Sequence, residues 1–147
     1  MKLVDTEETI ILVTGTDIRA EERDRPLAYR LKEEIDRRGA GHAFRRAVVV
    51  GDVWYLEHRI FHLNPTIAVG GPGVNAVSQQ FSEALPTVWS QEDRVFVQAE
   101  FEAELKRASL WGMDTAATSA AVDAFVINGF LDELLTKIWR WRTGVLV

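Results

Sequence analysis

The chain has 147 residues, one domain's length, and its 47% apolar and 27% charged composition excludes a disordered, collagen-like or low-complexity polymer. Its 17 Lys and Arg against 22 Asp and Glu leave a net charge of −5, which removes any global electrostatic pull toward nucleic acid or an anionic membrane. Cysteine is absent, so disulfides, thiolate nucleophiles and Cys-ligated metals are excluded. The start, Met1-Lys2-Leu3-Val4-Asp5, lacks the basic region and apolar run of a signal peptide. No apolar run approaches the roughly 20 residues of a membrane span. The expectation is a soluble, cytoplasmic protein with neither a nucleic-acid nor a membrane partner.

Residues 9–13 (T-I-I-L-V) form a short apolar run closed by Thr14-Gly15-Thr16-Asp17, which predicts a buried strand. Asp24 is placed to cap a helix with Pro26 in its first turn. That helix runs through Leu27, Tyr29, Leu31 and Ile35 and stops at Gly39 and Gly41. Residues 46–50 (R-A-V-V-V) repeat the strand pattern and end at Gly51-Asp52. Residues 53–64 read equally as a short helix or an irregular loop, and Pro65 ends them. Residues 66–69 predict a third strand, followed by Gly70-Gly71-Pro72-Gly73 and a helix over about 74–85 with Val74, Val77, Phe81 and Leu85 on one face. Pro86 stops it. Residues 87–90 and 94–98 predict two more strands around the turn-like Gln91-Glu92-Asp93, and 108–111 a sixth closed by Gly112. Asp114 or Thr115 then caps a long helix that Asn128-Gly129 breaks. Its second part, an amphipathic helix over about 129–142, carries Phe130, Leu134, Leu135, Ile138 and Trp141.

Short strands that are apolar throughout fit a sheet buried on both faces, with parallel strands and helices on each side. The order β-α-β-β-α-β-β-β-α predicts one α/β domain over residues 1–147. Its architecture is a three-layer sandwich around a mostly parallel sheet of five or six strands, Rossmann-like or flavodoxin-like. Residues 94–98 and 108–111 are close in sequence, which predicts an antiparallel pair at one edge.

In open parallel sheets the ligand lies beyond the carboxyl ends of the strands. Five segments fall there: Thr14–Asp17, Gly51-Asp52 with Trp54, Gly70–Asn75, Trp89–Gln91, and Trp111–Thr115. The strongest is A-V-G-G-P-G-V-N-A-V-S at 68–78. Glycine allows close backbone approach and positive φ. The helix that follows would aim free N–H groups at a phosphate or carboxylate. The loop is neither a Walker A motif nor a full G-x-G-x-x-G. It reads equally as a tight turn with Asn75 as helix cap. Asp17 is a candidate reader of ribose hydroxyls, a metal ligand or a base, or simply a loop and cap residue. Arg19, Arg23 and Arg25 either grip an anion or balance local charge.

His58 and His62 are four apart, but no complete zinc motif accompanies them, and no metal site is expected. Ser78, Ser82, Ser90, Ser109 and Ser119 lack a G-x-S-x-G context, which argues against a serine hydrolase. Trp54, Trp89 and Trp111 fall at strand ends, where a ring either stacks on a ligand or fills the core. Trp139 and Trp141, among Lys137, Arg140 and Arg142, suggest a docking surface for self-association.

Residues 65–78 (P-T-I-A-V-G-G-P-G-V-N-A-V-S) and 110–125 (L-W-G-M-D-T-A-A-T-S-A-A-V-D-A-F) together resemble a module of archaeal surface-layer proteins. There a V-G-G-P-x-x-N strand-turn-helix precedes a G-x-x-x-x-D-T-x-x-A-A helix start. Gly70, Gly71, Pro72 and Asn75 match the first half; Gly112 and Thr115 fit the second loosely, with Ala120-Ala121 shifted. The resemblance covers less than half the chain and implies that the Gly-Gly-Pro turn can be purely structural.

Three functions follow as expectations. The first is a binding module, a homo-oligomer, holding a small anionic or nucleotide-like ligand. Gly15, Thr16, Asp17, Gly70, Gly71, Gly73, Asn75, Trp111 and Thr115 would bind it, with Asp52 or Trp54 assisting. The second is a nucleoside- or nucleotide-processing enzyme on the same rim, with Asp17, Asp52 or Asp114 as catalytic candidates. The third is a homo-oligomeric structural protein with no ligand.

Overall fold

Each apolar run becomes a strand and each amphipathic run a helix that covers it. A computed structural model describes residues 4–139. In it β1 (Ile10–Thr14) leads through a short helix, α1 (Ile18–Arg23), into α2 (Arg25–Arg38). Then come β2 (Ala47–Gly51), α3 (Asp52–Glu57), a 3-10 turn (Arg59–Leu63), β3 (Thr66–Val69) and α4 (Ala76–Ala84). The strands β4 (Thr87–Gln91), β5 (Val95–Glu100) and β6 (Arg107–Gly112) follow, and α5 (Thr115–Ile127) and α6 (Phe130–Ile138) complete the described chain.

The sheet order is β2-β1-β3-β6-β5-β4. Neighbours are parallel from β2 to β6 and antiparallel across β6-β5-β4. The fold is thus α/β with a mixed six-stranded sheet. The expectation of a mostly parallel sheet is corrected to this extent. The chain from Thr87 to Gly112 doubles back through short connections, which can join only antiparallel neighbours.

Alternate side chains of the central strands point to opposite faces. Ile10, Leu12, Ile67, Val69 and Leu110 pack with Leu31 and Ile35 of α2, Phe125 of α5 and Leu134 of α6. Ile11, Val13 and Ala68 pack on the other face with Tyr55 of α3 and Val77 and Phe81 of α4. Both faces are covered, which is why the central strands read as apolar without alternation. β4 is the exception: it lies at the sheet edge and only Trp89 is half-buried.

Two local departures matter. Residues 18–23 form α1, which the sequence pattern does not announce because only Ala20 on it is buried. Asp24 does not cap α2 through its side chain; its backbone is itself helical, so the chain passes from α1 to α2 with one turn residue. The C-terminal helix, expected to reach about 142, is described to Ile138; Arg140, Trp141 and Arg142 lie outside the described residues. Among the described residues no helix is long and apolar enough to cross a membrane.

The β4–β5 turn places Glu92 (φ 53°) and Asp93 (φ 52°) in the left-handed region, with the Arg94 N–H donating to the Gln91 carbonyl at 3.0 Å. Two left-handed residues make the turn that matches strand twist, and glycine suits its second position best. Asp93→Gly is therefore expected to stabilise the fold by about 0.5–1 kcal/mol. Urea unfolding checks this, and a loss of stability would contradict it.

Candidate functional site

β1, β2, β3, β4 and β6 run in the same direction, so their carboxyl ends share one rim. The chain leaves β1 toward the face covered by α2 and leaves β3 toward the face covered by α4. Such divergence opens a crevice between the two strand ends.

Asn75 spans that crevice. Its amide nitrogen donates to the Val13 carbonyl at 3.0 Å and the Val69 carbonyl at 3.2 Å. Its oxygen accepts from the Val77 and Ser78 N–H groups at 3.0 and 3.1 Å, capping α4. The Ser78 hydroxyl donates to the Gly70 carbonyl at 2.6 Å. Asp52 adds a second tie. One oxygen accepts from the Thr16 hydroxyl (2.9 Å) and the Val53 N–H (2.8 Å), and the other from the Ala76 N–H (2.8 Å). The N–H groups at the start of α4 are therefore taken by Asn75 and Asp52. They do not stand free for an anion, as the sequence led one to expect.

The glycines divide by role. A Cβ on Gly15 would collide with the Val74 carbonyl, so this glycine lets two loops touch backbone to backbone. Gly70 has φ +115°, and a Cβ there would stand 2.5 Å from Asp24 Oδ2. A Cβ on Gly71 would meet only ordinary contacts, and one on Gly73 would meet none.

Residues 70–75 act as a wall between two cavities. On one side a shallow hollow of about 290 Å³ is lined by Thr16, Asp17, Asp52, Asn75 and Gln79. On the other, a cleft of about 280 Å³ is lined by Arg19, Ala20, Arg23, Asp24, Trp111–Thr115 and Thr118. Pro72, Gly73 and Val74 border both, and Gly71 the cleft. The rim residues named from sequence are thus split. Gly71, Gly73, Trp111, Asp114 and Thr115 come together; Thr16, Asp17, Asp52 and Asn75 belong to the hollow. Gly15 and Gly70 line neither.

The three candidate catalytic carboxylates each accept hydrogen bonds from the fold. Asp17 accepts from the Ala20 N–H at 2.8 Å and caps α1. Asp114 accepts from the Ala117 N–H at 2.8 Å and from Arg94 at 2.6 Å. Asp52 holds its three donors. Trp111 is stacked on Phe96 with ring centroids 4.4 Å apart and donates Nε1–H to Gln98 at 2.9 Å, leaving its ring as a cleft wall. Trp54 stacks on His58 and borders neither cavity. Trp89 packs against the α2/α5 core. His58 and His62 bond the Trp54 and Tyr55 carbonyls, and no cluster of three metal-ligating side chains occurs among the described residues. Trp139, expected on a docking surface, donates Nε1–H to the Glu8 carbonyl at 2.8 Å, with Arg45 over its ring.

Asp24 is the carboxylate that sequence reasoning misassigned. It is 6% exposed, lines the cleft and makes no side-chain hydrogen bond among the described residues. Burial, and next the charge of Asp17, raise its pKa to about 6 against a smaller opposing effect of Arg23. Arg19 and Arg23, exposed on α1, line the same cleft and form no ion pair among the described residues. Arg25 pairs instead with Glu21 at 3.7 Å. The available signal was the i,i+4 spacing of Arg19 and Arg23, which acquires meaning only once residues 18–23 are known to be helical.

Compared with known proteins, the chain matches no family model and no curated protein.

The folded protein holds the Asp24 proton more tightly than the unfolded chain, because the pKa is raised from 3.8 to about 6. Stability from this group is complete below the unfolded value, falls as pH rises through the window, and is gone above about 6. Asp24→Asn is expected to stabilise the protein by roughly 1–3 kcal/mol at neutral pH and by nothing near pH 4. Denaturation across pH tests this; a pH-independent effect would contradict it. Gly70→Ala is expected to cost about 1–3 kcal/mol and Gly73→Ala less than about 0.5, and equal costs in thermal unfolding would contradict the division of roles.

Proposed function

We propose that the protein is a small-molecule-binding module that holds an anionic or nucleotide-like ligand in the cleft between α1, residues 71–74 and the start of α5. The observation that carries this reading is the pair of guanidiniums, Arg19 and Arg23, which form no ion pair among the described residues and line a cleft whose opposite wall includes the Trp111 ring. Guanidiniums bind phosphate or carboxylate in bidentate fashion, and a flat ring suits a base or sugar face. The strand order β2-β1-β3, with crossovers to opposite faces, supports a doubly wound, Rossmann-like or flavodoxin-like lineage for this half of the sheet. Ligands of such sheets lie at this divergence.

A second reading is an enzyme on the same cleft, favoured by one observation: Asp24, with a pKa of about 6, suits proton transfer near neutral pH. The surface-layer resemblance supports a third, structural role for the Gly-Gly-Pro-x-x-Asn turn, since Asn75 is wholly occupied with clamping strands.

The test is thermal unfolding with a panel of nucleotides, sugar phosphates and carboxylates, with particle mass measured alongside. A ligand at 100 times its Kd is expected to add about 2.7 kcal/mol, several degrees for this size. The shift should vanish in Arg19→Ala/Arg23→Ala. No shift across the panel, with a discrete multimer mass, would favour the structural role.

A further inference from the structure

Resting on the binding reading above, we infer that the cleft recognises a phosphorylated polyhydroxy compound: a sugar hydroxyl seats on Asp24 while the phosphate lies against Arg19 and Arg23. The first support is the carboxylate. Buried polar groups are almost always hydrogen-bonded. Asp24 is 6% exposed and has no such partner among the described residues, and it borders the cleft. A donor arriving through the cleft completes it. The other acid lining the cleft, Asp114, is already held by Arg94 and the Ala117 N–H. Asp17 lines the neighbouring hollow and caps α1.

The chemistry of that donor follows from its surroundings. An ammonium group would have to enter a cleft that already carries two guanidiniums and shed its hydration to reach Asp24. A hydroxyl is neutral, donates to the carboxylate and accepts from the acid, and so suits a group that titrates near pH 6. The anion site is separate. Arg19 and Arg23, four residues apart on α1, present their side chains on one helix face, the spacing for two guanidiniums to share one tetrahedral dianion. The Trp111 ring leaves an apolar wall for the C–H face of a sugar. The cleft, about 280 Å³, has the size of a small metabolite site.

Calorimetry at pH 7 tests this with three probes: ribose 5-phosphate, inorganic phosphate and phosphoethanolamine. Wild type is expected to bind ribose 5-phosphate at least about tenfold tighter than the other two. Asp24→Ala should abolish that preference while leaving inorganic phosphate affinity within about threefold. Arg19→Ala/Arg23→Ala should weaken all three probes by about tenfold or more. Asp24→Leu, of similar size and without an acceptor, stands in if Asp24→Ala does not fold. Ribose 5-phosphate binding no tighter than inorganic phosphate overturns the inference but leaves the anion-binding reading intact. So does a preference that survives in Asp24→Ala. Tighter binding of phosphoethanolamine also overturns it, in favour of a cation on Asp24. Failure of every probe to bind overturns both readings.

Discussion

The side chain of Asn75 is the point on which the rim depends. Four hydrogen bonds leave it, two to the ends of β1 and β3 and two to the first turn of α4. β1 and β3 end where the chain turns away in opposite directions, and there Asn75 supplies a donor to the Val13 and Val69 carbonyls. Without Asn75 the Val13 and Val69 carbonyls and two helix N–H groups would be buried together, each missing a partner, at about 1–3 kcal/mol apiece. With it, every donor and acceptor of a 1% exposed amide is used. Asp52 and Ser78 extend the same network to Thr16 and Gly70, and together they fix the wall that separates the two cavities.

Two buried acids on this rim show opposite solutions to one problem. Burying a carboxylate costs free energy unless hydrogen bonds or opposite charge replace its water. Asp52 is 5% exposed and receives three donors, so its burial is offset and it serves as structure. Asp24 is buried to the same degree and receives none among the described residues, with Asp17 raising its pKa further. That difference, together with its place on the cleft wall, separates Asp24 from Asp52.

Much of the fold was legible because the signals were local. β-branched runs at 10–14 and 66–69, the Pro86 stop and the Asn128-Gly129 break each act within a few residues. Gly129 indeed adopts φ +88° between α5 and α6. The common rim was legible too, since strand direction alone gathers the segments. The mixed sheet was half visible: short connections announced the β5–β6 pair but not where β4 would lie. α1 was hidden because I-R-A-E-E-R offers one buried residue and no apolar period. Asp24 was misread because its own backbone is helical where α1 runs into α2, so its side chain does not cap α2. The division into two cavities was invisible, since it depends on the Gly15 loop resting on the Val74 carbonyl.

Trp139 carries a consequence for the whole molecule. Its indole reaches the Glu8 carbonyl across 131 residues of sequence, and Arg45 bonds Glu8 at 2.6 Å beneath the ring. Glu8 lies before β1, at the foot of the sheet, while the cleft lies past the other end of that five-residue strand, roughly 16 Å away. Both described ends of the chain are therefore pinned side by side on the pole opposite the cleft. Joining Glu8 to Trp139 through a short linker and reopening the chain at the β4–β5 hairpin would preserve every strand neighbour. A partner domain fused at that pole would leave the rim open to solvent.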